Sequence, residues 1–350
     1  MAWAKDFLGT TLPVRIFGLI FGTMATMQSI EGYREAFLAH LRAGRSQGEP
    51  RTLYGPMHYI LDLGGKRLRP ILTLMCCELF GGKAQQAMGA AMAIETFHNF
   101  SLVHDDIMDR APLRRGRATV HEKWDLNTGI LSGDALLVQA YQHLEAYPPE
   151  LFKILVGLFS QTAMQVCQGQ QYDMDFEKQQ EVGIPDYLRM IEYKTAVLVG
   201  AAMKMGAIIA GAGQRDAEAI QGFGLNLGVA FQLQDDYLDL FGDPGTFGKQ
   251  LGGDVLENKK TYLYLKALEL AGAPQRERLL QLYGTKPKDG AAKIAEVRTL
   301  FQQTGCVEAV KSAISAHTQK AIAYLDQLGI PAAAKAHLEQ FGQALMERKV

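Results

Sequence analysis

The chain is 350 residues long, with 36 basic and 37 acidic side chains and a formal net charge of -1. So even a balance excludes a general nucleic-acid binder, which needs a basic footprint; any charge that matters must be local. With 48% hydrophobic residues and a length that gives a prior of about two domains, there is ample material for a large core.

The first 26 residues are apolar but broken by Pro13 and Arg15. The run from Ile16 is diluted by Thr and Gly and falls short of the ~20 apolar residues that a membrane span needs. No clear small-residue cleavage site follows it. Residues 1–26 read as an extension, dispensable or the product of a mis-assigned start codon, and 27–350 as a single all-α domain.

From about residue 29 the pattern is helix after helix. Periodic apolar segments lie at about 29–43, 50–63, 67–80, 84–109, 126–146, 149–178 and 185–211, then at 215–241, 256–271, 275–284, 290–303, 304–328 and 331–349. Gly64-Gly65, Gly81-Gly82, Pro148-Pro149 and Gly252-Gly253 punctuate them. No run shows the two-residue alternation of strands, and no hairpin turn joins strand-like runs. The expected class is an all-α bundle of about ten or more helices. The segments 84–109 and 217–241 are apolar nearly all round, so they belong at its centre. The four cysteines, Cys76, Cys77, Cys167 and Cys306, form no C-x-x-C pair; they read as reduced, buried thiols of a cytoplasmic protein.

Both central segments end in the same device. The first carries Asp105, Asp106 and Asp109 in "LVHDDIMDRAPLRRG"; the second carries Asp235, Asp236 and Asp239 in "FQLQDDYLDLFGDPG". Spacing i, i+4 puts Asp105 and Asp109 on one helical face, about 5–6 Å apart at Cβ, and likewise Asp235 and Asp239. Two carboxylates at that distance repel by ~3 kcal/mol at an effective dielectric near 20, and a helix C-terminus disfavours each by a further ~0.3–1 kcal/mol. A hard cation relieves the penalty. Mg²⁺ takes one or two carboxylates together with waters and substrate phosphates. A solvated acidic face explains one such motif well and two on apolar helices poorly.

Basic residues adjoin both clusters. "GGKRLRP" supplies Lys66, Arg67 and Arg69, "RRG" supplies Arg114 and Arg115, "YKTA" supplies Lys194, and "GKQLGGDVLENKK" supplies Lys249, Lys259 and Lys260. Arginine forks match phosphate oxygens in pairs, and lysine serves as a point charge. Each motif alone reads as solvated loop charge; their joint placement implies anionic groups, some held through metal and some directly. No G-x-S-x-G, P-loop or H-E-x-x-H is present. A metal-held diphosphate is a good leaving group; if it leaves an allylic carbon the cation is delocalised, and apolar helices would keep water from it.

These residues carry a resemblance. "GGKRLRP", "FHNFSLVHDDIMDRAPLRRG", "GQQYD", "YKTA", "FQLQDDYLD" and "GK" with "DVLENK" occur in the order found in the trans-isoprenyl diphosphate synthases, or polyprenyl synthetases. They span roughly 50 to 262, and the helical pattern extends the likeness from about 29 to the end. The resemblance implies the isoprenoid-synthase bundle around a central apolar cavity. It implies head-to-tail joining of isopentenyl diphosphate to an allylic diphosphate (dimethylallyl, geranyl or farnesyl), with the released diphosphate taking the final proton. By motif, Asp105, Asp109, Asp235 and Asp239 would bind Mg²⁺, three ions per active site with substrate bound, and Asp106 would support them. Arg114, Lys194, Gln232, Lys249 and Lys259 would hold the allylic diphosphate. Lys66, Arg69, His98 and Arg115 would hold isopentenyl diphosphate, and Thr195 with Gln232 would line the path of the cation. Asp173 and Gln170 would lie nearby, and His104 reads as structural. The family implies a homodimer without stable membrane insertion.

Product length depends on the residues before Asp105. Phe100 lies five residues earlier, about 7.5 Å along a helix, and Phe97 eight earlier, about 12 Å. Bulk there stops a growing chain, Ser101 beside it is small, and the resemblance then implies geranylgeranyl diphosphate, with farnesyl second and a longer product if the cavity bends. Three rivals remain. A metal-dependent phosphohydrolase would use the His104-Asp105 pair, yet the histidines at 40, 58, 121, 143, 317 and 337 offer no paired ligands. A terpene cyclase needs no Lys66, Arg69 and His98 subsite. A non-catalytic subunit is expected to lose one acidic cluster, and both are intact.

Overall fold

The computed structural model describes residues 28–45, 48–243, 251–285 and 289–346; the proposed 1–26 extension and Lys249 lie outside the described residues. In chain order the helices are α1 (Ile30–Ala43), α2 (Arg51–Asp62), α3 (Leu68–Leu79), α4 (Met88–Met108), α5 (Val120–Lys123), α6 (Leu126–Gln142), α7 (Pro149–Lys178) and α8 (Ile184–Ile191). They continue as α9 (Val197–Ile209), α10 (Gln214–Phe241), α11 (Gly253–Leu256), α12 (Tyr262–Leu270), α13 (Ala273–Tyr283), α14 (Gly290–Thr304), α15 (Cys306–Leu325) and α16 (Ala332–Met346). Polar side chains start several of them. Ser29 accepts from the Gly32 amide at 3.0 Å, Asp125 from that of Thr128 at 2.8 Å, and Asp289 from that of Ala292 at 3.1 Å, each satisfying an amide the first turn leaves open. No described helix is long and apolar enough to cross a membrane.

The described residues divide into two compact units, 28–164 with 198–221, and 165–197 with 222–346. In the first, α4 is the core element. Ala90, Ala93, Ile94 and Phe97 are fully buried, and Leu74, Met75 and Cys76 of α3 are equally so. In the second, the core gathers Val229, Leu233 and Leu240 of α10 with Leu263, Leu279, Val297, Phe301 and Val310 of α12 to α15.

The all-α expectation holds with local exceptions. Leu113–Arg114 and Arg117–Ala118 form a two-stranded antiparallel hairpin, which the sequence reading did not anticipate because two residues per strand leave no periodicity to detect. Its central residues, Arg115 and Gly116, both have positive φ, 52° and 74°, as the tightest hairpin turns require. Residues 84–87 form a 3₁₀ turn before α4. The expected helix at 185–211 is interrupted by a π turn over Glu192–Ala196, and the one at 256–271 divides into α11 and α12. Cys76, Cys77 and Cys306 are buried free thiols as expected, whereas Cys167 is exposed.

Candidate active site

The first acidic motif closes α4. Its middle aspartate, Asp106, is turned inward and only 1% exposed. Both its carboxylate oxygens accept from Arg114 Nε at 2.8 Å, and Arg114 Nη2 also reaches Asp105 Oδ2 at 3.3 Å. Burial pushes the Asp106 carboxyl up while Arg114 pulls it down; burial likewise draws on the Arg114 guanidinium, which the Asp106 hydrogen bonds nevertheless keep above the ordinary arginine value. Asp109 caps the helix, its amide donating to Asp105 O at 2.9 Å, and its side chain is exposed.

The hairpin sends its two arginines to different tasks. Arg114 braces the acids. Arg115 donates to Gly64 O and lies flat on Gly65, where a Cβ would come within 2.8 Å of the guanidinium; with φ at 118° as well, only glycine serves there. Lys66 is exposed. Arg69 Nη1 lies 3.3 Å from His98 Nε2. A guanidinium can only donate, so Nε2 accepts and the proton sits on Nδ1. Burial, then Arg69 and Arg115, hold His98 well below the usual histidine range, so the ring is neutral. Arg69, His98 and Arg115 thus stand together where the loop before α3 meets one face of α4. Behind it, Phe100 packs against Phe97 (ring centroids 5.4 Å) and His104 (4.8 Å), and Phe97 against Phe159 (5.4 Å). Ser101 Oγ donates to His98 O at 2.8 Å. His104 Nε2 is 3.2 Å from Ile130 O, the structural task expected of it.

The second motif closes α10, in the other unit. Here too the middle aspartate, Asp236, is inward and 7% exposed, but its partners are neutral. Tyr187 donates to Oδ2 and Gln232 Nε2 to Oδ1 at 3.0 Å. Burial, then Asp254, push its carboxyl well up. Gln232 Oε1 in turn accepts from Thr195 at 3.1 Å, and Lys194 pairs with Asp173 at 2.5 Å. Lys194 and Thr195 sit in the π turn, a helical irregularity often found at functional sites; a Cβ at Gly169 would fall 2.2 Å from the Lys194 amide nitrogen, so α7 reaches that turn only through glycine.

Asp239 Oδ2 accepts from the Asp254 amide at 3.1 Å, and Asp239 O from that of Gly252 at 2.7 Å. Burial, then Asp239, push the Asp254 carboxyl up to about 7. Lys259 pairs with Glu257 at 3.1 Å. A cavity of about 140 Å³ is lined by Lys194, Thr195, Gln232, Asp236, Asp254 and Lys259, among others, so Lys194, Thr195, Gln232 and Lys259, each expected from its own motif, meet in one place. Lys260 also lines it, but its ammonium donates to Phe176 O at 2.6 Å and to Gln179 O, closing the C-terminal end of α7.

Sequence reasoning missed Tyr187, Asp254 and Glu95. Asp254 stands inside the quoted "DVLENK", and that acid among lysines was a usable signal; nothing in the sequence marks Tyr187. Among the described residues no three His, Cys, Asp or Glu side chains converge to hold a metal by themselves. The donors present, oxygen-only carboxylates one helical turn apart, still fit a hard cation that completes its shell with water and phosphate.

An all-α fold whose apolar helices each end in D-D-x-x-D, with lysine and arginine close by, defines the isoprenoid-synthase class. The polyprenyl synthetase family model matches residues 50–301, and the chain belongs to that family. It is 36% identical over 307 residues to the short chain isoprenyl diphosphate synthase of Methanothermobacter thermautotrophicus, covering 87% of this chain and 93% of that one. Identity to the geranylgeranyl diphosphate synthase of Methanosarcina mazei is 37%, over 80% of this chain and 85% of that one. A crystal structure of a geranylgeranyl pyrophosphate synthase superposes with a TM-score of 0.89 at 50% identity, covering 93% of this chain and all of the other.

Proposed function

We propose that this short-chain trans-prenyltransferase joins isopentenyl diphosphate head to tail to allylic diphosphates and makes geranylgeranyl diphosphate. The carrying observation is the handling of each acidic motif. The middle aspartate is buried and held, Asp106 by Arg114 and Asp236 by Tyr187 with Gln232, which supports the reading of the outer carboxylates as the metal-facing pair. Asp105, Asp109, Asp235 and Asp239 would hold Mg²⁺, three ions per active site with substrate bound, and the ions supply neutralisation of the diphosphate charge.

The rest falls to the chain. Arg114, Lys194, Gln232, Lys249 and Lys259 orient the allylic diphosphate; the Arg114 fork has five N–H donors, enough for Asp106 and a phosphate oxygen together. Lys66, Arg69 and Arg115 hold isopentenyl diphosphate, and neutral His98 offers Nδ1–H. Thr195 and Gln232 present oxygen dipoles along the path of the allylic cation, and apolar side chains keep water away from it. The allylic C–O bond breaks, the new C–C bond forms to the terminal alkene carbon of the co-substrate, and the proton lost goes to the departed diphosphate.

Support for a twenty-carbon limit is Phe100, 8% exposed and backed by Phe97 and Phe159. A farnesyl product is the second reading, because two aromatics stand before the motif. A phosphohydrolase would need His104 together with further histidine ligands, and among the described residues no three His, Cys, Asp or Glu side chains converge to hold a metal. A homodimer is supported by apolar side chains exposed along α6 and the start of α7: Leu126, Ile130, Leu131, Val138 and Ile154. The free cysteines fit the reducing cytoplasm.

Incubation of the purified protein with isopentenyl diphosphate, each allylic starter and Mg²⁺, with products sized by chromatography, is expected to yield twenty carbons. Failure to condense with any starter would sink the reading. Phe100→Ala is expected to lengthen the product, and an unchanged product removes Phe100 as the floor.

A further inference from the structure

Arg67 follows Lys66 in "GGKRLRP", yet its side chain goes the other way. It is 2% exposed, while Lys66 is exposed. Its backbone is left-handed, φ 52°, a region a residue with a Cβ seldom enters. Its two Nη atoms divide. Nη1 donates to Glu95 Oε1 on α4, and Nη2 to Leu61 O near the end of α2. Glu95 is itself 4% exposed and is held by Asn99, whose Nδ2 donates to Glu95 O at 2.7 Å and to Oε1 at 3.2 Å.

A buried pair of this kind adds little net stability, because loss of hydration offsets the attraction. Its effect is geometric. A planar fork aimed at two fixed acceptors leaves one placement for Arg67. The backbone of 66–69 is thereby fixed against α4, where His98 stands three residues beyond Glu95. Glu95 is also the counter-charge to Arg67 in a patch that gathers Arg69, Arg115 and Arg114, the last already paired with Asp106 and Asp105; all four guanidiniums act on the His98 ring.

We propose that Arg67 and Glu95 are a positioning pair for the isopentenyl diphosphate subsite, aiming Lys66 and Arg69 without touching substrate. The proposal rests on the assignment of Lys66, Arg69, His98 and Arg115 to that substrate.

Two variants test it. Arg67→Lys keeps the charge but cannot make both hydrogen bonds. The double variant Arg67→Met with Glu95→Gln removes both charges at once, so neither is left buried alone. With both, the KM for isopentenyl diphosphate is expected to rise about tenfold, the factor set by one misplaced charge-assisted hydrogen bond. The KM for the allylic substrate and the helical circular dichroism are expected to stay near those of the parent. An isopentenyl KM close to the parent's in a folded double variant overturns the pairing, as does a parallel rise in both KM values. Loss of folding in both variants also overturns it, because the pair would then be a stability element. A parent protein that forms no condensation product at all defeats the functional assignment instead, so the two failures are told apart.

Discussion

The two acidic motifs read the same in sequence and are built differently. In the first, a guanidinium braces the buried middle aspartate and reaches its neighbour Asp105. In the second, a phenol and an amide brace it, and a further acid, Asp254, stands close by. One cluster is partly neutralised by its own chain. The other gathers further acid, with Lys194 and Lys259 lining the same cavity. Identical motifs thus leave open how much charge each presents to a metal.

The comparison can be broken at several points. The largest effect is expected from Asp105→Asn and Asp235→Asn, each lowering kcat by about 10³ in an isopentenyl incorporation assay, the scale of losing a charge-stabilising group at the reacting centre. A large loss from only one of them would mean that the motifs do not carry matching tasks. Next comes stability. Arg114→Ala strands a buried carboxylate and is expected to cost ~3 kcal/mol; Tyr187→Phe removes one neutral donor and is expected to cost ~1–2 kcal/mol. Equal shifts in urea midpoint would erase the distinction between the braces.

The smallest effect is in pH dependence, where His98 of one region and Asp254 of the other carry opposite signs. His98 is held below its ordinary value, so below about pH 6.5 the unfolded chain gains a proton that the folded chain refuses, and stability falls on acidification. Asp254 is raised to about 7. Between about pH 4 and that value the folded chain keeps a proton the unfolded chain has lost, so stability falls as pH rises through this window. His98→Gln is expected to flatten the first trend and Asp254→Asn the second, read from denaturant midpoints across pH 4 to 8. A single slope changed by both variants would contradict the separation.

Much of the molecule is legible in its sequence. The helices α4 and α10 announce themselves through apolar residues on every side, and the aspartates stand out because carboxylates at i, i+4 beside a helix C-terminus are unfavourable without a partner. Lys194, Thr195, Gln232 and Lys259 can be named by motif, but their meeting in one cavity depends on tertiary packing. The hairpin at 113–118 is too short to have a period. The π turn has no compositional mark, since Glu192–Ala196 reads as ordinary helix. Tyr187 and Glu95 are invisible because each acts through a residue far away in the chain, Asp236 and Arg67, and no local pattern records such a pairing.

The π turn also bears on how this enzyme tolerates change in length. A wide turn holds one residue more than an ordinary helix would at the same rise. Deleting a single residue from 192–196 would yield a more regular helix that leaves α8 and α9 in register, and would turn the side chains of the segment itself by about 100°. Lys194 and Thr195 would trade their inward aspect for other directions, and Gly169 would meet the wrong backbone. The segment is therefore one where a shorter relative would be expected to keep its fold and lose its chemistry, and where loop-trimming by an engineer would be least forgiving.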